Sequence, residues 1–147
     1  MTKTIAATLL ILISATANAF QCPKDHEPEL EYAEAESVYV ARINSVEFYQ
    51  DINDGKDAKL LLAKFSIQET LKGESKEHGE VTDLVGIGTG FVNFIPGLTY
   101  ILAIRKKPAD YEKDHIDLCN ILGMAFDVND KELQETIKKL KSSGSGL

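Results

Sequence analysis

The chain has 147 residues, 44% of them hydrophobic and 27% charged, with a formal net charge of -7, two cysteines and no tryptophan. That length fits one ordinary domain, the apolar fraction excludes wholesale disorder, and the lack of a recurring period excludes a solenoid or propeller. The acidic balance argues against a nucleic-acid binder, which needs a basic face to meet phosphates.

Residues 1–19 read as a secretory signal peptide: Lys3 is the only charge, an apolar run spans Ile5 to Ala15, and Ala17-Asn18-Ala19 ends it. The run is about half of the roughly 20 apolar residues that a membrane span requires. Phe20 and Gln21 stand directly before Cys22, where a lipoprotein signal needs small residues. Export to the periplasm or the medium of a bacterium is therefore expected, with the domain over 20–141 and a flexible tail over 142–147.

In that oxidising setting Cys22 and Cys119 are expected to form one disulfide. The alternative is a redox or nucleophilic thiol. No C-x-x-C is present, and neither cysteine opens a helix that would lower its pKa.

Residues 24–37 are acidic, and Leu30, Ala33 and Ala35 could form the buried stripe of a short helix with Pro28 in its first turn. Residues 38–49 predict a strand with apolar side chains on both faces, so either both faces are covered or the strand changes face at a bulge. Arg42, a charge inside that strand, is expected to reach the rim or to pair with an acid such as Glu36. Asn53-Asp54-Gly55 then signals a turn. The segment from Asp51 has the start of a calcium loop, but it lacks the sixth-position glycine and the twelfth-position acid, where Leu62 stands.

Residues 58–71 alternate over Leu61, Ala63, Phe65 and Ile67 with polar Lys64, Ser66 and Gln68 between them, which predicts a half-buried strand paired to the first. A third strand is expected over 80–87. Gly86, Gly88 and Gly90 follow it with no helix signal, so they turn a corner rather than cradle a dinucleotide. Pro96-Gly97 marks a turn, residues 98–105 form a central strand, and a short fifth strand is expected around 115–119. In the last helix Asn129 is the expected cap with Glu132 three residues on, and Val128 and Leu133 form the staple. Leu133, Ile137 and Leu140 share its buried face, and the chain frays over Ser142–Gly146. The fold class is thus mainly β: a five-stranded OB-fold-like barrel with a short N-terminal helix and a C-terminal helix.

This ordered pattern resembles the TIMP-like group, the tissue inhibitors of metalloproteinases and their bacterial relatives, which share a netrin-type OB fold. The residues that carry the resemblance are Cys22, the run Glu36-Ser37-Val38-Tyr39-Val40-Ala41-Arg42-Ile43, and Leu71-Lys72-Gly73. Gly90, Phe94, Gly97-Leu98-Thr99-Tyr100-Ile101-Leu102 and Cys119 complete it. Two departures stand out. The family often opens with C-x-C, but Cys22 is alone here, and Thr89 replaces the mid-chain cysteine. The resemblance implies a one-disulfide version that binds a protein partner, with a metalloprotease among the candidates. In the inhibitors, the α-amine and carbonyl of an N-terminal cysteine chelate the protease zinc. The expected mature terminus here is Phe20, two residues earlier, so that mode of inhibition is not expected.

No catalytic, cofactor or metal site is expected. His26, His78 and His115 are scattered, and neither a nucleophile elbow nor a Ser–His–Asp pattern occurs. Phe91, Phe94 and Ile95 are the candidate partner-binding loop; the alternative, slightly favoured, is that these side chains plug the barrel. The competing functional class is a periplasmic small-ligand carrier or an enzyme with its site in the barrel mouth.

Overall fold

In the computed structural model of the chain, the described residues are 22, 27–50, 59–84, 92–106 and 113–144. Residues 1–19, read as a signal peptide, His26, the expected turn at Asn53-Asp54-Gly55, and Gly86, Gly88 and Gly90 lie outside them. Helix α1 (Pro28–Glu34) precedes strands β1 (Ser37–Gln50), β2 (Lys59–Lys72), β3 (His78–Leu84) and β4 (Thr99–Ile104). A 3-10 turn (Leu118–Asn120), β5 (Ile121–Ala125) and α2 (Lys131–Gly144) complete the order. The strands form one antiparallel sheet in the order β3-β2-β1-β4-β5. The fold is mainly β with a helix near each end, and the sheet is open. Among the described residues no ladder joins β3 to β5. On that side a parallel bridge joins Thr82 to His115. There the Thr82 N–H donates to the Asp114 carbonyl at 2.8 Å, and the Ile116 N–H donates to the Thr82 carbonyl at 2.9 Å.

β1 is covered on both faces and also changes register. Tyr39, Ala41 and Ile43 enter one core with Phe65, Tyr100, Leu102 and Ile116. Val38 and Val40 enter a second core with Ile101, Ala103 and the α2 face of Leu133, Ile137 and Leu140. Register shifts fall between Val38 and Tyr39, Val40 and Ala41, and Ile43 and Ser45. β4, flanked by β1 and β5, contributes to both cores and is buried along its whole length. Cys22 and Cys119 are joined by a disulfide that spans 97 residues of sequence, with Cα atoms 5.6 Å apart. It ties the segment before α1 to the 3-10 turn before β5.

Several expectations need correction. In α1, Leu30 is 50% exposed and Ala33 is exposed, while Glu31 and Tyr32 are buried. Glu31 tolerates burial because its carboxylate accepts from Arg105 Nη2 at 2.5 Å, Arg105 Nε at 3.2 Å and Asn120 Nδ2 at 3.2 Å. The Tyr32 hydroxyl donates to the Leu71 carbonyl at 2.9 Å, which leaves its ring free to pack. In β2, Ala63 and Phe65 are buried with Lys64 exposed between them, as expected, but at its start Leu60 and Leu62 are buried and Leu61 only partly so. β3 begins earlier than expected, because Gly79 belongs to the strand opposite Phe65. A Cβ at Gly79 would stand 2.5 Å from the Phe65 ring, so the aromatic lies on the bare backbone. Arg42 is exposed and makes no ion pair among the described residues, so the Glu36 pairing is not formed.

The fifth strand lies at 121–125 rather than 115–119. Asp117 caps the intervening 3-10 turn, its carboxylate accepting the Cys119 N–H at 2.7 Å while the Asn120 side chain accepts the Asp117 N–H at 3.0 Å. That reciprocal pair winds residues 118–120 out of an extended path. In α2 the cap is Asp130, not Asn129: Asp130 Oδ1 accepts from the N–H groups of Glu132 at 3.0 Å and Leu133 at 3.1 Å. The helix also continues through Ser142 and Ser143 to Gly144, where fraying was expected.

Candidate functional site

The two edges of the sheet differ in chemistry. β3 carries His78, Glu80 and Asp83, and the Asp114–Ile116 backbone covers its outer side at Thr82. β5 pairs only with β4 among the described residues. Its sequence and the following residue, Ile-Leu-Gly-Met-Ala-Phe over 121–126, hold no charge and no proline. Charge and proline are two of the devices that blunt an edge strand; shortness and a bulge are others, and β5 has both.

A bulge sets which way β5 faces. The β4 partners run Leu102 to Ile121 and then Ile101 to Gly123, so Leu122 is the extra residue. Leu122 packs in the second core, and a Cβ at Gly123 would meet the Ile101 side chain at 3.2 Å and Leu133 at 3.4 Å. A glycine here lets β5 and α2 approach closely. Beyond the bulge, Met124 stands opposite Tyr100 and Ala125 opposite Thr99. Ala125 packs towards α2, but Met124 is 66% exposed and Phe126 85% exposed. With Leu98 these two side chains line a concavity of about 520 Å³.

The same concavity is lined by the acidic side chains of Asp127, Asp130 and Glu132. Asp127 accepts from the Asn129 N–H at 2.9 Å, and Asp130 caps α2, so both carboxylates are fixed in place. The neighbouring cation, Lys131, is turned along the helix towards Glu135 at 3.8 Å. Exposed apolar and acidic side chains thus line one concavity, and no lysine or arginine among the described residues lines it.

The expected binding loop divides. Phe91 lies outside the described residues. Phe94 is buried in the first core, edge-on to Tyr100 with ring centroids 5.3 Å apart. Ile95 is 55% exposed, and its N–H donates to the Tyr100 hydroxyl at 3.1 Å. The turn from Ile95 to Leu98 leads into the wall of the concavity beside β5. Met124 and Phe126 were missed in the sequence because the fifth strand was set too early. The available signal was the uncharged run over 121–126.

A second concavity of about 420 Å³ lies over β2 and β3, lined by Asn44, Lys64, His78 and Glu80. Beside it, Ser66 Oγ and His78 Nδ1 are 3.3 Å apart, and Asn44 Nδ2 donates to Ser66 at 2.8 Å. No carboxylate bonds His78 among the described residues, so this cross-strand pair lacks the third group that would orient a base. His115 packs with Nδ1 3.3 Å from Thr82 Oγ1. Burial holds its pKa below the ordinary imidazole range, against the upward pull of Asp117 and a hydrogen bond to the Thr82 backbone. No group of three or more His, Cys, Asp or Glu that could hold a metal ion occurs among the described residues. No described helix is long and apolar enough to cross a membrane. No protein-family model matches the chain, and no curated protein matches it in sequence.

Proposed function

We propose that the chain is an exported, non-catalytic protein-binding module built on an OB-fold-like barrel of the TIMP-like kind, with its contact surface at β5. The barrel reading draws support from the strand order, which places β1 between β2 and β4, and from the parallel bridge at Thr82 and His115. The disulfide between Cys22 and Cys119 supports export. The observation that carries the binding reading is the pair Met124 and Phe126, large apolar side chains exposed together on an uncharged edge. A shared concavity suits the anchor role that buried aromatics play in interfaces.

Binding through β5 does not require a free α-amine at Cys22, so zinc chelation is not part of the proposal. A metalloprotease stays among the candidate partners through a surface away from its metal. The test is affinity capture from the exported fraction of the source organism with immobilised wild type and Phe126→Ser. Wild type is expected to retain a protein that the variant retains about tenfold less, the usual scale for losing an aromatic anchor. Equal retention of the same proteins by both would overturn the reading.

A further inference from the structure

We propose that β5 accepts an extended, basic segment of the partner as an additional strand. This rests on the protein-binding reading and specifies how the site is filled. β5 has a ladder on one side only among the described residues, and residues 121–126 hold neither charge nor proline. A free edge offers backbone N–H and C=O groups to an incoming strand, and the flanking pockets choose its side chains. Met124 and Phe126, exposed beside that edge, supply the apolar contact.

Charge selects the occupant. A second copy of the chain carries the same net charge of -7, which opposes self-association. A strand with lysine or arginine at alternate positions would instead meet the acidic side chains while its apolar residues meet Met124 and Phe126. The carboxylates of Asp127 and Asp130 are already fixed by backbone N–H groups, so they need not be ordered on binding.

The probes are short peptides titrated into isotopically labelled protein and followed by amide NMR: an alternating Lys–Val peptide, its Glu–Val counterpart, and the Lys–Val peptide N-methylated at alternate residues. Lys–Val is expected to bind saturably, with its largest shifts at Ile121–Ala125, and at least about tenfold more tightly than either control. Phe126→Ser is expected to weaken it by a similar factor, with the remaining amide spectrum unchanged. Equal binding of the N-methylated peptide would overturn the proposal, since that peptide cannot add a full ladder. Shifts centred away from β5, or dimerisation of the free protein through β5, would overturn it as well. If the peptides fail while affinity capture still distinguishes Phe126→Ser, the added-strand proposal falls and the protein-binding reading stands.

Discussion

Glu31 and Leu30 show how far a single side chain can depart from its hydropathy. Leu30 is half exposed while its charged neighbour is buried. Glu31 is held by Arg105 and Asn120, which stand 74 and 89 residues away in sequence. A local apolar pattern contains no information about partners so distant, so the buried acid could not be read in advance. Arg105 also pairs with Glu34 at 2.9 Å and is about half exposed, so it can rehydrate when Glu31 is removed. The Asn120 amide is buried and would lose an acceptor. Glu31→Ala is therefore expected to destabilise by about 1.5–3 kcal/mol, the range for hydrogen bonds to a charged group. Leu30→Ala is expected to stay within about 0.5 kcal/mol, as exposed substitutions do. Urea denaturation of the two variants checks the order, and a larger loss at Leu30 would contradict the buried-acid arrangement.

Among the strands, β1 to β4 were legible, the six-residue β4 included, and β5 was not. β1 and β2 each run for 14 residues, so their apolar repeats outweigh local ambiguity. β5 has five residues, a glycine and a bulge, and its sequence signal is correspondingly weak. The Asp117–Asn120 capping pair was the readable clue that residues 118–120 turn, and it places the strand after them. Setting that strand a few residues early left Met124 and Phe126 outside the expected strands. The start of α2 shows a similar shift by one position. Asn129 and Asp130 are both good caps by type, and the amide geometry selects Asp130. Asp130→Ala is expected to cost about 1 kcal/mol. Asn129→Ala, which removes only a side-chain bond to Asp127, is expected to cost less. Comparing the melting temperatures of the two variants checks this, and a greater loss for Asn129→Ala would move the cap back to Asn129.

For the whole molecule, one covalent link and one polar cluster meet at the same place. The Cys22–Cys119 bond holds the segment before α1 to the 3-10 turn, and Asn120, the next residue in that turn, bonds Glu31 of α1. The pairing was legible from composition, because two cysteines allow only one bridge. What it clamps was not legible, since α1, the 3-10 turn and the end of β4 meet only in three dimensions. Closing a span of 97 residues removes unfolded-state entropy worth about 4–5 kcal/mol at most. Reduction, or Cys22→Ser with Cys119→Ser, is therefore expected to lower the melting temperature by about 10 °C or more. The two clamps share the turn, so their losses should not simply add. Once the disulfide is gone, the turn is held to α1 through Glu31, and Glu31→Ala should then cost more than it does in the oxidised protein. A double-mutant cycle should return a coupling of about 0.5–3 kcal/mol. Strict additivity would mean that the bridge constrains only the unfolded chain and that Glu31 holds the turn without its help. An unchanged melting temperature on reduction would mean that the two sulfurs are not joined in the folded protein.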